Sequence, residues 1–160
     1  MTSAIADDVK LRGFFRVHLT APNDPKVIVG DSGWIENTIT NEGRRMLVRL
    51  LGSLAGSSQI SHAALGTGTA PGAADTALNG ELGENVRATV SAATNGSTSV
   101  SFTGTFNSTA NFVTATRNIS NIGLFCTSTG GAGTIFAGNT YTSSSCATNQ
   151  NVNFTYTITD

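Results

Sequence analysis

Val152-Asn153-Phe154-Thr155-Tyr156-Thr157-Ile158 alternates apolar and polar residues without a break. A period of two is the signature of a half-buried β-strand. Thr98 to Phe106 alternates in the same way, placing Val100, Phe102 and Thr105 or Phe106 toward one side. Upstream of it, Asn95-Gly96 is a strong hairpin dipeptide, and it follows a strand expected over Ala88 to Ala93. Asn118 to Phe125 reads as a buried strand around Ile119, Ile122 and Leu124. Gly130-Gly131-Ala132-Gly133 reads as a turn leading into a short strand over Thr134 to Ala137.

The N-terminal part continues the pattern. Leu11, Gly13, Phe15, Val17 and Leu19 alternate with Arg12, Phe14, Arg16 and His18. Ala21 to Pro25 is a turn by composition, Lys26 to Val29 a second strand, Gly30 to Gly33 a break, Trp34 to Ile39 a third strand and Ile60 to Leu65 a fourth. Short strands with turn signals between them predict a mostly β chain, an antiparallel jelly-roll-like sandwich. Residues 1–10 read as a flexible N-terminal arm and 11–160 as a single β-sandwich domain.

One segment breaks the period. Met46, Leu47, Leu50, Leu51 and Leu54 recur at helical spacing, so a short amphipathic helix is expected near residues 42–54. Thr40 or Asn41 caps it, Glu42 sits in the first turn where the macrodipole favours an acid, and Gly52 is a plausible stop. Arg44, Arg45 and Arg49 point away from the apolar face as a solvated surface.

Charge is scarce. Charged residues make up 12% of the 160, about half the usual share of ~25%. From Ala88 to the end only Arg117 and Asp160 carry formal charge. The net charge of −1 argues against electrostatic capture of nucleic acid or a membrane surface. A Thr/Ser/Asn surface with so little charge suits packing against other protein. No apolar run reaches transmembrane length, and Met1 to Asp8 lacks the features of a secretory signal, so synthesis in a cytoplasm is expected. Cys126 and Cys146 form no CxxC motif, and whether they pair in a disulfide is left open.

No constellation for catalysis stands out. Gly66-x-Gly68 lacks the third glycine of a dinucleotide loop, since Pro71 stands there, and its surroundings are β. His18 and His62 have no local partner signature for a nucleophile. Asp75, Glu81 and Glu84 are sparser than a calcium loop, and their expected work is capping or pairing with Arg87. Trp34 is the one obvious stacking platform for a sugar. The chain is therefore read as having no enzymatic activity, with no catalytic, cofactor-binding or metal site and no small-molecule substrate. The glycine motif reads as an architectural joint: Gly66 and Gly68 allow unusual backbone, Asp75 caps a turn, and Leu78 and Leu82 fold back on the sheet.

An ordered set of segments resembles a known group. Leu11-Arg12-Gly13-Phe14-Phe15, Asn37-Thr38-Ile39-Thr40-Asn41-Glu42-Gly43-Arg44, Ala64-Leu65-Gly66-Thr67-Gly68-Thr69, Asp75-Thr76-Ala77-Leu78 with Glu81-Leu82, and Ile119-Ser120-Asn121-Ile122-Gly123-Leu124-Phe125 resemble small structural proteins of tailed bacteriophages. The resemblance spans roughly residues 11 to 158. It implies a virion component: a capsid cement or decoration protein on the capsid exterior, or else a tail, fibre-attachment or baseplate protein. Where that group often has an acid before its I-G-L-F segment, this chain has Asn121. The expected partners are the major capsid protein and further copies of the chain, as a dimer or trimer, without nucleic acid or membrane. The arm is the first expected capsid contact and the polar, uncharged edges of the last strands the second.

Overall fold

The computed structural model describes residues 10–84 and 86–160. The expected arm thus lies outside the described residues except for Lys10. β1 (Arg12–Ala21) follows the predicted alternation, burying Gly13, Phe15, Val17 and Leu19 and turning Arg12, Phe14, Arg16 and His18 outward. A tight turn at Pro22-Asn23 leads into β2 (Asp24–Asp31). The strand expected over 34–39 is split. β3 (Ile35–Glu36) pairs with β1, whereas β4 (Thr38–Ile39) belongs to the other sheet, so the chain crosses between sheets at Asn37. After α1 (Asn41–Leu51) come β5 (His62–Gly66), β6 (Ala88–Thr89), β7 (Ser91–Thr94), β8 (Ser99–Phe106), β9 (Arg117–Phe125), β10 (Ile135–Cys146) and β11 (Val152–Thr159).

Among the described residues the strands form two antiparallel sheets, ordered β2-β1-β11-β8-β7, with β3 also on β1, and β4-β10-β9-β5-β6. Their inner faces share one core. Phe15, Phe102, Phe154 and Tyr156 enter from the first sheet, and Ile119, Ile122, Leu124 and Phe136 from the second. Phe15 stacks on Tyr156 with ring centroids 5.3 Å apart. The buried Tyr156 hydroxyl donates to Ile122 O across the sandwich (3.2 Å), which satisfies a group that would otherwise cost free energy inside.

The expectations for the strand after Thr134 and for the helix change, and the open question of the disulfide is answered. The strand starting near Thr134 runs on to Cys146, far past Ala137. Gly138 and the Ser143–Ser145 run have weak β-propensity, but pairing with β9 holds the strand extended, with a bulge between Thr140 and Ser144. The helix stops at Leu51 rather than residue 54, with Gly52 as its C-cap. Its start is as expected: Thr40 Oγ1 accepts from Gly43 N (3.0 Å) and Glu42 lies in the first turn. Its apolar face is only partly covered, however: Met46 and Leu47 are half-buried against the core, while Val48 and Leu51 are exposed. Finally, both cysteines are free. Cys146 lies opposite Arg117 at one end of β9 and Cys126 follows its other end, so roughly 30 Å of strand separates them. Burial pushes the Cys146 thiol up to about 11.

Candidate interaction surface

The two sheets differ on their outer sides. Over β5, β9 and the start of β10 the second sheet is roofed by the described part of residues 67–87, that is 67–84 with Val86 and Arg87. Leu78 packs on Ala64, Phe125 and Ile135 in a small core of its own. Thr67 N donates to Gly80 O and Leu82 N to Leu65 O, both at 3.0 Å, which pins the return of the segment to the end of β5. The backbones come so close that a Cβ on Gly68 would stand 2.3 Å from Asn79 O, and one on Gly66 would stand 2.7 Å from Gly80 O. Gly66-x-Gly68 is thus a packing requirement; neither glycine has a positive φ, so close approach and not the expected unusual backbone is what excludes a side chain there.

The acids of this segment serve the roof. The Glu81 carboxylate takes two hydrogen bonds from Arg87, at 2.8 and 2.9 Å, and the Arg87 side chain is only 1% exposed. Glu84 Oε1 accepts from Thr114 N, Thr114 Oγ1 and Arg117 Nη2 at 3.0, 2.8 and 2.7 Å. Burial works against the Glu84 anion, but these donors outweigh it and hold its pKa below the usual carboxylate range. Asp75 Oδ2 accepts from Gly72 N (2.9 Å) and closes a turn from its far side. The expected pairing with Arg87 falls to Glu81 alone. Asn121, fully buried on β9, donates through Nδ2 to Asn79 O (2.8 Å) and Thr69 O (3.3 Å), so its amide ties roof to sheet. Among the described residues no group of three or more His, Cys, Asp or Glu side chains is placed to hold a metal ion.

Among the described residues the outer side of the first sheet carries no such roof. β11 and β8 present matched rows there: Thr159 opposite Ser99, Thr157 opposite Ser101, Thr155 opposite Thr103 and Asn153 opposite Thr105. Several of these groups pair sideways, Ser101 Oγ with Thr157 Oγ1 at 3.1 Å and Thr105 Oγ1 donating to Asn153 Oδ1 at 2.6 Å. The result is a hydroxyl-rich, uncharged surface. Of the last strands, β11 is paired on both sides and offers a face rather than an edge, whereas β4 pairs with only Ala137 and Gly138 of β10.

β1 borders that face with a different chemistry. Arg12 Nε reaches Glu36 Oε1 (3.0 Å), and its guanidinium lies 5.1 Å from the Phe14 ring centre. Arg16 holds Asp31 through two hydrogen bonds, and His18 Nε2 lies 3.5 Å from the same carboxylate. Arg16 first, then the Gly33 amide, keep the Asp31 carboxyl well below its ordinary range. Gly33, at φ +67, makes the bend between β2 and β3, and Ser32 Oγ fixes it by accepting from Val17 N (2.9 Å). The bend projects Trp34, 55% exposed, beside Phe14 and Thr157, where the three line a shallow hollow of about 260 Å³. Val27, Ile28 and Val29 on edge strand β2 are each about half exposed. His62 lies apart, on β5, with Ser61 Oγ 2.8 Å from its Nδ1. Burial first, then the charge of Arg87, lowers its pKa. Arg44 and Arg45 are exposed, Arg45 pairing with Glu42 at 2.8 Å, whereas Arg49 is half-buried.

Local alternation builds this face but does not announce its bareness, which depends on where residues 67–87 fold. Comparison with protein-family models, with curated proteins and with solved structures returns no match for this chain.

Proposed function

We propose that the chain is a virion structural protein of a tailed bacteriophage, a capsid cement or decoration protein. It binds the outer shell through the major capsid protein and bridges neighbouring capsomers, working as a symmetric homo-oligomer on the capsid exterior. In this reading the sandwich is a jelly-roll-like variant. One observation carries the proposal: the bare, uncharged hydroxyl face of β8 and β11, bordered by the exposed Trp34 and Phe14 and by the Arg12–Glu36 and Arg16–Asp31 pairs. Aromatic residues and arginine are enriched where proteins dock, and neutral hydroxyls lose less than charges on leaving water. The effect on the shell is mechanical. A ligand that binds the closed lattice and not the opened one favours closure by mass action.

Cryo-EM of intact particles tests it. Hundreds of copies on the shell support cement; a dozen or so at the tail favour the tail, fibre-attachment or baseplate reading. Trp34→Ala is expected to lower shell occupancy while leaving the fold intact, because the indole is largely solvated. Deleting residues 1–10 tests the arm in the same assay. The hollow between Trp34, Phe14 and Thr157 favours a second reading, a carbohydrate-binding face, which glycan-array binding lost in Trp34→Ala would support.

A further inference from the structure

The helix is the place where sequence and structure part most clearly. At about 100° per residue, Met46, Leu50, Leu47, Leu51 and Val48 sweep about 200° of its circumference. A helix that packs on one core needs an apolar stripe of only about 100°. Among the described residues nothing covers the surplus at Val48 and Leu51. The helix start is clamped to β10, where Thr40 N donates to Phe136 O (3.0 Å) and a Cβ on Gly43 would strike that same carbonyl. Farther along, Met46, Leu47 and Leu50 line a hollow of about 290 Å³ with Ile60, Phe102 and Phe136. Beside the hollow, Val48 and Leu51 project into solvent, 63% and 89% exposed, followed by Leu54 at 54%.

We propose that α1 is the homo-oligomer contact: two copies pair through antiparallel α1 helices about a two-fold axis, each lodging Leu51 in the other's hollow. The inference rests on the homo-oligomeric reading above and names its surface and symmetry. Two observations select a second copy as the occupant. First, the patch carries both a knob, Leu51, and a hole, the hollow between Met46 and Phe136, and a two-fold interface requires one surface to supply both. Second, Arg44 lies on the same side as Val48 and Leu51, about one turn before the first and two before the second. Antiparallel packing sets it against the partner helix C-terminus, where the macrodipole is negative, and keeps the two Arg44 side chains at opposite ends. Parallel packing about a three-fold axis would crowd them together.

Multi-angle light scattering and sedimentation equilibrium on the purified full chain test this. The expected result is a dimer whose dissociation constant rises at least about thirtyfold in Leu51→Glu, since a central apolar anchor is replaced by a charge that must be desolvated. Circular dichroism and the melting temperature of the monomer should be unchanged, because Leu51 is nearly fully solvated in the fold. Val29→Lys, on β2, should leave the dimer intact. A wild-type chain that stays monomeric at high micromolar concentration, a trimer, or a dimer insensitive to Leu51→Glu overturns the proposal. A monomer found in hundreds of copies on the shell removes this interface and leaves the cement reading standing. A Leu51-dependent dimer absent from particles does the reverse.

Discussion

The guanidinium carbon of Arg87 lies 3.6 Å from the centre of the Phe125 ring. The cation covers the outer face of β9 while its nitrogens hold both oxygens of Glu81 and, through Nη1, Thr127 O and Oγ1 at 3.1 and 2.9 Å. One side chain thus fastens the 67–87 roof to the second sheet by stacking and by four hydrogen bonds. The roof lies over the second sheet, and among the described residues the first sheet has no counterpart.

Removing that fastening strands an anion. Arg87→Ala is expected to destabilise the fold by about 3–5 kcal/mol, since Glu81 is left mostly buried without its partner. Arg87→Met with Glu81→Leu should cost far less than either single change, because no unpaired charge remains. Urea denaturation of the four proteins measures the coupling; additive losses would contradict the clasp.

The glycine joint makes a paired prediction. Gly68→Ala forces a Cβ to within 2.3 Å of a backbone carbonyl, an overpacking expected to cost about 1–3 kcal/mol. Gly83→Ala meets nothing within 4 Å and should be neutral or stabilising by up to about 1 kcal/mol through the unfolded chain. Thermal melts compare the two, and equal effects would mean that the close approach at Gly68 is not a constraint.

Asn121 works as a donor to two carbonyls, so an acid there is the wrong group. Asn121→Asp is expected to lose about 2 kcal/mol or more at neutral pH, where the introduced carboxylate faces Asn79 O and Thr69 O without solvent. Burial and those carbonyls raise the introduced carboxyl's pKa above its unfolded value of about 3.9. Its penalty is therefore smallest below that value and grows as pH rises through the folded pKa. Stability of the variant relative to wild type, followed from pH 3 to 7, should fall, and a flat difference would contradict the donor role.

Glu84 sets an opposite acid dependence in the native chain. Its folded pKa is depressed, so its contribution is complete above the unfolded value near 4.3 and disappears as pH falls through the folded value. The melting temperature should drop on acidification through that window. Glu84→Gln should flatten this limb and cost about 1–3 kcal/mol at neutral pH. An acid limb unchanged by Glu84→Gln would place the dependence elsewhere.

Much of the sandwich is legible because its signal is local. The alternation in β1 and β11 needs only a period of two, and the Thr40 cap, the Gly52 stop and the Asn95-Gly96 turn are chemistry within a few residues. Elements whose signal is weak or shared escape such a reading. β10 beyond Ala137 has poor strand formers and exists through β9, and the single run 34–39 divides because Asn37 lies where one strand becomes part of two sheets. The pairing of Glu81 with Arg87, six residues apart, is within reach of sequence; that of Glu84 with Arg117, thirty-three residues apart, is not.

Composition and periodicity by themselves determined that this chain is antiparallel β, poor in charge, and carries one helix with an apolar side. Only the tertiary structure decided that β11 lies inside a sheet, that residues 67–87 cover one outer face and not the other, and that the apolar side of the helix turns partly to water. Side-chain order along a strand or helix depends on near neighbours. Which surface stays exposed depends on pairings made across long stretches of chain, such as β1 with β11, and a linear pattern does not encode them.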